Sequence, residues 1–323
     1  MKIFSRLLLC LSFACLAAAA SAQSYPNRPV KILVGSAPGG ILDIAARVIG
    51  GKLQEKWGQP FVVEFRLGAA GSIAGEALAK SPADGYTLLV GESGIWGTSP
   101  HLVAKSPYDP RTEFSPVAQI AVLPVFMVVP SAIPANNVAE FIAYARQRPG
   151  KLVYASGGVG SIHQMTAELF KSMAKLDILH VPYKGGGPAA VAVLTGEVQM
   201  AFVSYAGAQV GLTSGKLRML GISTAKRAPN FPEIPTVGET GLPGFDISTT
   251  LGVIAPAGTP PDVIRKLQGE IMAVSVLPEI AQRLTDAGSI VQPAPSEEFA
   301  GVIRAEYQKF GELVKLSGAR RAD

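Results

Sequence analysis

Two short glycine-bearing runs hold the residue types best suited to chemistry. The first, Ser36-Ala37-Pro38-Gly39-Gly40, is followed closely by Asp43; the second, Ser156-Gly157-Gly158-Val159-Gly160-Ser161, by His163. Glycine lets a backbone approach a ligand closely. A helix that starts just after such a run presents unpaired N–H groups at the positive end of its dipole. Together these favour an anion without needing Arg or Lys. Charge-assisted hydrogen bonds contribute about 1.5–3 kcal/mol each. Two or three from each run reach the roughly −8 kcal/mol of micromolar binding after ordering costs. The plainer alternative is that the glycines only make tight turns, and the recurrence of the pattern favours a site. His163 either touches a ligand or packs against its own loop. Asp43 either complements the helix dipole and orders its loop, or faces the site, where it would repel an anion.

Other chemistries find no support. There is no Gly-x-x-x-x-Gly-Lys-Ser/Thr loop, and Lys184-Gly185-Gly186-Gly187 has its lysine on the wrong side of the glycines. No Gly-x-Gly-x-x-Gly follows a strand. The histidines His101, His163 and His180 are widely spaced, and neither His-Glu-x-x-His nor Gly-x-Ser-x-Gly occurs. Ser172-Met173-Ala174-Lys175 matches Ser-x-x-Lys by letter alone, inside an expected helix. With no activated nucleophile and no metal site, the chain reads as a binding protein rather than an enzyme.

The elements that must position the two runs follow from periodicity. Val30, Ile32 and Val34 alternate as in a strand, and Ile41, Ile44, Ala45, Val48, Ile49 and Leu53 recur at helical spacing up to Gly58. Phe61-Val62-Val63, Ser72 to Lys80 and Tyr86 to Val90 continue as strand, helix and strand. The pattern restarts with a strand at Leu152-Val153-Tyr154-Ala155, the second run, and a helix through Met165, Leu169 and Met173. Ile178 to Tyr183, Pro188 to Leu194, Val198 to Val203 and Leu217 to Ser223 then alternate strand and helix before a last strand. This order predicts parallel sheets built from βαβ units, in two lobes that each offer a strand, a glycine loop and a helix. Ligands bind beyond the carboxyl ends of such strands. The Pro-punctuated stretches Val122 to Pro130 and Ser223 to Pro235 are expected to cross between lobes. Helices over 261–277, 278–287 and 296–316 are then expected to return to the first. Two linkers allow a hinge. The expected division is 23–124 plus 227–323 for one lobe and 125–226 for the other.

The ends and composition bound the rest. Lys2 and Arg6 precede an uncharged run from Leu7 to Ala20, closed by Ala20-Ser21-Ala22, so residues 1–22 read as a signal peptide for export. Both cysteines, Cys10 and Cys15, lie within it, leaving the mature chain without a thiol. Lys and Arg total 29 against 24 Asp and Glu, with no basic cluster, which argues against nucleic-acid binding. About 300 mature residues suit two domains.

These residues resemble the periplasmic solute-binding proteins of tripartite tricarboxylate transporters, the Bug or TctC-type family. The likeness runs through Tyr25-Pro26-Asn27-Arg28-Pro29, Ala37-Pro38-Gly39-Gly40 with Asp43, and Ala83-Asp84-Gly85-Tyr86-Thr87-Leu88-Leu89. It continues in Pro149-Gly150-Lys151-Leu152, Tyr154-Ala155-Ser156 and His180-Val181-Pro182-Tyr183-Lys184-Gly185-Gly186. Gly215-Lys216-Leu217-Arg218, Pro235-Thr236-Val237-Gly238-Glu239 and Ala255-Pro256-Ala257-Gly258-Thr259-Pro260 complete it. The resemblance implies a type II periplasmic-binding-protein fold: two doubly wound α/β lobes with a hinge and an interlobe cleft. It implies a small carboxylate held by the two glycine loops and ordered water, at Pro38, Gly39, Gly40 and Asp43 and at Ser156, Gly157, Gly160, Ser161 and His163. It further implies a monomer in the periplasm, without cofactor or metal, that serves the membrane subunits of a tripartite transporter or, in some members, a sensor kinase.

Several positions depart from the family's pattern. Ile41 and Leu42 stand where Ser or Thr types are usual, Glu64-Phe65-Arg66-Leu67 replaces Glu-Asn-Arg-Pro, and Val203-Ser204 replaces a polar pair such as Asp-Asn. The first change leaves backbone N–H groups as the anchor and points to a ligand with an apolar or aromatic body rather than citrate. Ser93, Trp96 and Ser204 join the candidates that line the cleft, Trp96 with ordinary packing as its alternative.

Overall fold

The computed structural model describes residues 25–319, so the expected signal peptide lies outside the described residues. The first lobe opens with β1 (Val30–Val34), α1 (Ile41–Trp57), β2 (Phe61–Phe65), α2 (Ser72–Ala79), β3 (Thr87–Glu92) and β4 (Phe114–Leu123). The second holds β5 (Phe126–Pro130), α3 (Val138–Arg146), β6 (Leu152–Ser156), α4 (Ile162–Ala174), β7 (Ile178–Pro182), α5 (Gly186–Leu194), β8 (Met200–Val203), α6 (Tyr205–Thr213), β9 (Leu217–Ile222) and α7 (Val237–Thr240). The chain then returns through β10 (Thr249–Pro256), α8 (Pro261–Ser275), α9 (Pro278–Asp286), β11 (Ile290–Pro295) and α10 (Ser296–Ser317).

Local sequence explains the first unit. Leu42, Ala45, Ala46, Val48, Ile49 and Leu53 form the buried stripe of α1, and Gly58, at φ 68°, ends it in the left-handed conformation that glycine adopts without a Cβ clash. The stripe packs with Val30, Ile32 and Val34 of β1 in one core.

Both sheets are mixed rather than parallel. The first has the order β11-β4-β10-β3-β1-β2; β1, β2 and β3 are parallel, whereas β10 runs antiparallel to β3 and β4, and β11 antiparallel to β4. The second has the order β7-β6-β8-β5-β9, with β5 antiparallel to β8 and β9. β5, which follows β4 directly with no helix between to turn it round, is the reversed strand of the second sheet, and β10 and β11 are those of the first.

The outward crossing is short: only Pro124 and Val125 separate β4 from β5. The return lies further along than the expected boundary at 226. Thr236 bridges Ile222, and Phe245 and Ile247 pack in the core of the second lobe with Phe170 and Phe202. The first lobe resumes at Thr249, opposite Leu123. Ser223, just beyond β9, ties the two crossings together: its N donates to Val125 O at 2.9 Å, its Oγ accepts from Val125 N at 3.1 Å, and its carbonyl accepts from Ile247 N at 2.9 Å.

A third connection corrects the placement of the last helix. Its first half packs in the first lobe, Phe299 and Ile303 against Trp96 and Phe114. Its second half leaves that lobe, and Phe310, Leu313 and Val314 join Leu102 and Phe170 in the other core. The 22-residue α10 therefore spans both lobes across the back of the hinge. Phe310→Ala is expected to lower stability by about 3–5 kcal/mol, read from urea unfolding. A loss below about 1 kcal/mol, as at a surface site, would contradict its bridging role.

Candidate functional site

Where the strand ends of the two lobes face each other lies a cleft of about 590 Å³. Leu123, Pro124 and Val125 of the crossing line it, so its wall is also the hinge. Among the described residues, no Lys or Arg lines it. Glu92 and His163 are the ionisable residues of that described lining, so any hold on an anion must come from backbone N–H groups and neutral side chains.

Three helices open onto the cleft with glycine at the N-cap and no side chain capping them: α1 after Gly40, α2 after Gly71 and α5 after Gly185. By contrast, α4 and α6 are capped by their own serines, Ser161 accepting from Gln164 N at 3.3 Å and Ser204 from Gly207 N at 3.3 Å. The first turns of α2 and α5 carry no acidic residue to offset the dipole. Uncapped N–H groups aimed into an enclosed space hold an anion.

In the first loop, Gly40, Ile41 and Leu42 line the cleft, while Pro38 and Gly39 stand on the exposed turn behind them. Gly39 has φ 83°, so a side chain there would be strained. Asp43 takes the ordering role: its carboxylate accepts from Gly39 N at 2.8 Å and Arg47 Nε at 2.6 Å and is not part of the lining. Ser36, at the start of the loop, has a buried hydroxyl with no hydrogen-bond partner.

In the second loop, Gly157, Gly160, Ser161 and His163 reach the cleft together with Ser204. The His163 Nδ1 is buried without a partner. A Cβ at Gly157 would stand 2.7 Å from that atom, and one at Gly186 would stand 2.6 Å from His163 Cε1, so both glycines make room for the ring. Burial pushes the His163 pKa down to about 4, leaving a neutral imidazole. Ser156 is a support instead: fully buried and outside the lining, it accepts from Gly158 N at 3.1 Å and pairs with His180 Nε2 at 2.7 Å.

Trp96 and Ser93 do not line the cleft, contrary to expectation. A helical turn over Gly94–Thr98 carries the indole inward, edge-on to Phe299 at 5.4 Å, where its Nε1 donates to Glu306 Oε2 at 2.6 Å. A buried indole gains both apolar contact and a partner for its N–H there. Ser93 Oγ donates to the same oxygen at 2.7 Å and accepts from Thr250 N at 2.8 Å.

Sequence reasoning missed two stretches. Gly185-Gly186-Gly187, dismissed as a nucleotide loop, follows β7 by the same rule that selected the other two runs. Gly68-Ala69-Ala70-Gly71 has positive φ at every residue, including 55° and 53° at the two alanines. Ser99 Oγ holds both alanine carbonyls, at 3.0 and 3.2 Å, and so maintains the strain. Two glycines flanking two alanines gave a weak signal for it.

Two α/β lobes around a cleft bordered by uncapped helix ends, with no Lys or Arg among its described lining residues, have the build of a solute-binding protein. Residues 45–319 match the family described as the tripartite tricarboxylate transporter family receptor, TctC. The chain belongs to this family of periplasmic binding proteins, which are transport receptors and not enzymes. It is 34% identical over 306 residues to protein BugT of Bordetella pertussis, covering 94% of each chain. Among solved structures, Rhodopseudomonas palustris Rpa4515 with adipate superposes with a TM-score of 0.82 at 34% identity, over 92% of this chain and 99% of that one. MatC from the same organism, with bound malate, gives 0.77 at 33% identity, over 90% of this chain and 100% of that one.

Gly157→Val is expected to displace the His163 ring and weaken solute binding by about 10- to 150-fold, the loss of one charge-assisted hydrogen bond. Calorimetry beside circular dichroism checks this, and unimpaired binding would remove the loop from the site. The neutral His163 also sets a pH dependence. Its folded pKa lies below the unfolded value of about 6.5, so its contribution is complete above that pH and is lost as the pH falls toward 4. Burial lowers His101 and His180 too, in the same sense. His163→Asn should therefore flatten, without abolishing, the fall in melting temperature over that window.

Proposed function

We propose that the protein captures a small organic carboxylate with an apolar body and delivers it to the membrane subunits of a tripartite transporter. The observation that carries this is the set of three glycine-started, uncapped helix ends around one cleft, beside the unpartnered Ser36 Oγ and His163 Nδ1. The carboxylate sits on the N–H groups of α1 and α5, one set from each lobe. Ser36 supplies a hydroxyl, and His163 donates from Nδ1 in the tautomer protonated there. Ordered water completes the shell. Site membership rests on this placement for Gly40, Gly157, Gly160, Ser161, His163 and Ser204.

The body of the ligand lies against Ile41, Leu42, Ile95, Leu123, Val159 and Ile162, which line the cleft. Burying it adds about 25 cal/mol for each Å² of apolar surface. Rpa4515 with adipate and MatC with malate are relatives whose ligands carry carboxylates, which supports the ligand class. Delivery to a transporter is supported by the receptor role of the family. Residues 1–22 act as the leader that brings the mature chain to the periplasm.

A thermal-shift screen of the mature protein against carboxylates and their amides tests the reading. Ligand at about a hundred times its dissociation constant adds about 2.7 kcal/mol, a rise of several degrees in Tm. Carboxylates with apolar chains should raise the Tm while their amides leave it unchanged. A response to amides alone, or to citrate above all others, would overturn it.

A further inference from the structure

Glu92 is out of keeping with a cleft built for an anion. It ends β3 with its side chain on the cleft wall, where His163 is the only other ionisable lining residue among those described. Among the described residues, the hydrogen bond to its carboxyl is a long one of 3.5 Å from Thr249 Oγ1. No Lys or Arg in the lining neutralises it. Among the described residues, no cation behind it does so either. The carboxyl that influences it from that side is Glu306, which is taken up by Ser93, Trp96 and, at 2.7 Å, Thr250 Oγ1. Burial is the main cause that raises the Glu92 pKa, and the negative Glu306 raises it further.

The position ties Glu92 to the anion clamp. Val34 of β1 pairs with Val90 of β3, so Ser36 and Glu92 each lie two residues beyond the same rung of adjacent parallel strands. Neighbouring strands lie about 4.8 Å apart. A ligand whose carboxylate rests at the first glycine loop therefore brings the rest of its skeleton past Glu92. An acidic group with no partner of its own, on the wall of a binding cleft, draws its counter-charge from the occupant.

We propose that Glu92 recognises a positively charged nitrogen on the ligand, so that the cleft takes a zwitterion: carboxylate on the glycine-started helix ends, ammonium on Glu92. This rests on the carboxylate reading above and narrows it. The balance of charge favours it over a dicarboxylate, whose second anionic end would meet the Glu92 carboxyl and no Lys or Arg in the described lining. The apolar wall then carries the chain between the charged ends.

Hexanoate, its α-amino and ω-amino derivatives and adipate share one chain length and differ only in the charges they carry. Their affinities for the full mature protein and for Glu92→Gln, measured by calorimetry, separate the possibilities. One amino derivative should bind wild type about tenfold or more tighter than hexanoate, as a charge-assisted hydrogen bond provides. Glu92→Gln should erase that advantage while hexanoate affinity and melting temperature hold or rise. Equal binding of hexanoate and both amino acids, an advantage that survives Glu92→Gln, or adipate binding tightest would each overturn the zwitterion inference and leave the carboxylate reading standing. Binding of none of the four, with a cooperative melt, would count against both.

Discussion

The structure depends on a set of helix starts that the protein leaves without side-chain caps. A helix start often finds a side-chain cap, and a glycine in its place costs roughly a few tenths of a kcal/mol. Here α4 and α6 are capped by Ser161 and Ser204, whereas α1, α2 and α5 begin at glycines that can cap nothing. The three open ends border the same cleft. Stability is given up where an anion restores it, and the surroundings hold the cost in place. Asp43 fixes the turn before α1, Gln164 Oε1 accepts from Gly160 N at 2.7 Å, and Ser99 braces the strained alanines before α2.

Mechanics follow from where these ends are mounted. The ends of α1 and α2 belong to one lobe and that of α5 to the other, so neither lobe alone surrounds the ligand. The lobes meet through the crossings after Leu123 and after Ile247, tied together by Ser223, and through α10, whose two halves lie in different cores. Two short crossings tied through one residue can bend, while a packed helix limits how far they do so. Glu306 sits at the midpoint of α10 and grips the turn after β3 through Ser93 and Trp96 and β10 through Thr250. The same residue thus secures the long helix to the wall that carries Glu92.

Much of this was legible from residue patterns, and the failures have physical causes. The units around β1 and β6 announce themselves because one face is buried and the helices carry clear stripes. β10 does not: Thr249–Pro256 is buried at every position, which removes the alternation that marks a strand. The reversed sense of β5, β10 and β11 leaves no local trace in the residue pattern. Trp96 illustrates a different limit. Its position after β3 placed it near the cleft, but one tight helical turn decides which way a side chain points, and Glu306, 210 residues away, supplies the partner that decides it. The two glycine loops were found, yet Pro38, Gly39, Asp43 and Ser156 shape them from behind rather than facing the ligand space.

A cleft that binds an anion without a cation suits a protein that must also let go. A lysine or arginine in one lobe would keep attracting a carboxylate after the lobes part, because a full charge acts over several ångströms even in water. Helix-end N–H groups act over less than a turn and weaken once water reaches them. In the closed form the low dielectric of a dry cleft strengthens every such bond, and in the open form each lobe offers only its own share against water. Affinity is thereby tied to closure. Any partner that holds the lobes apart lowers it without touching the ligand. A neutral His163 fits the same logic, since a fixed imidazolium in its place would have retained the anion in the open state.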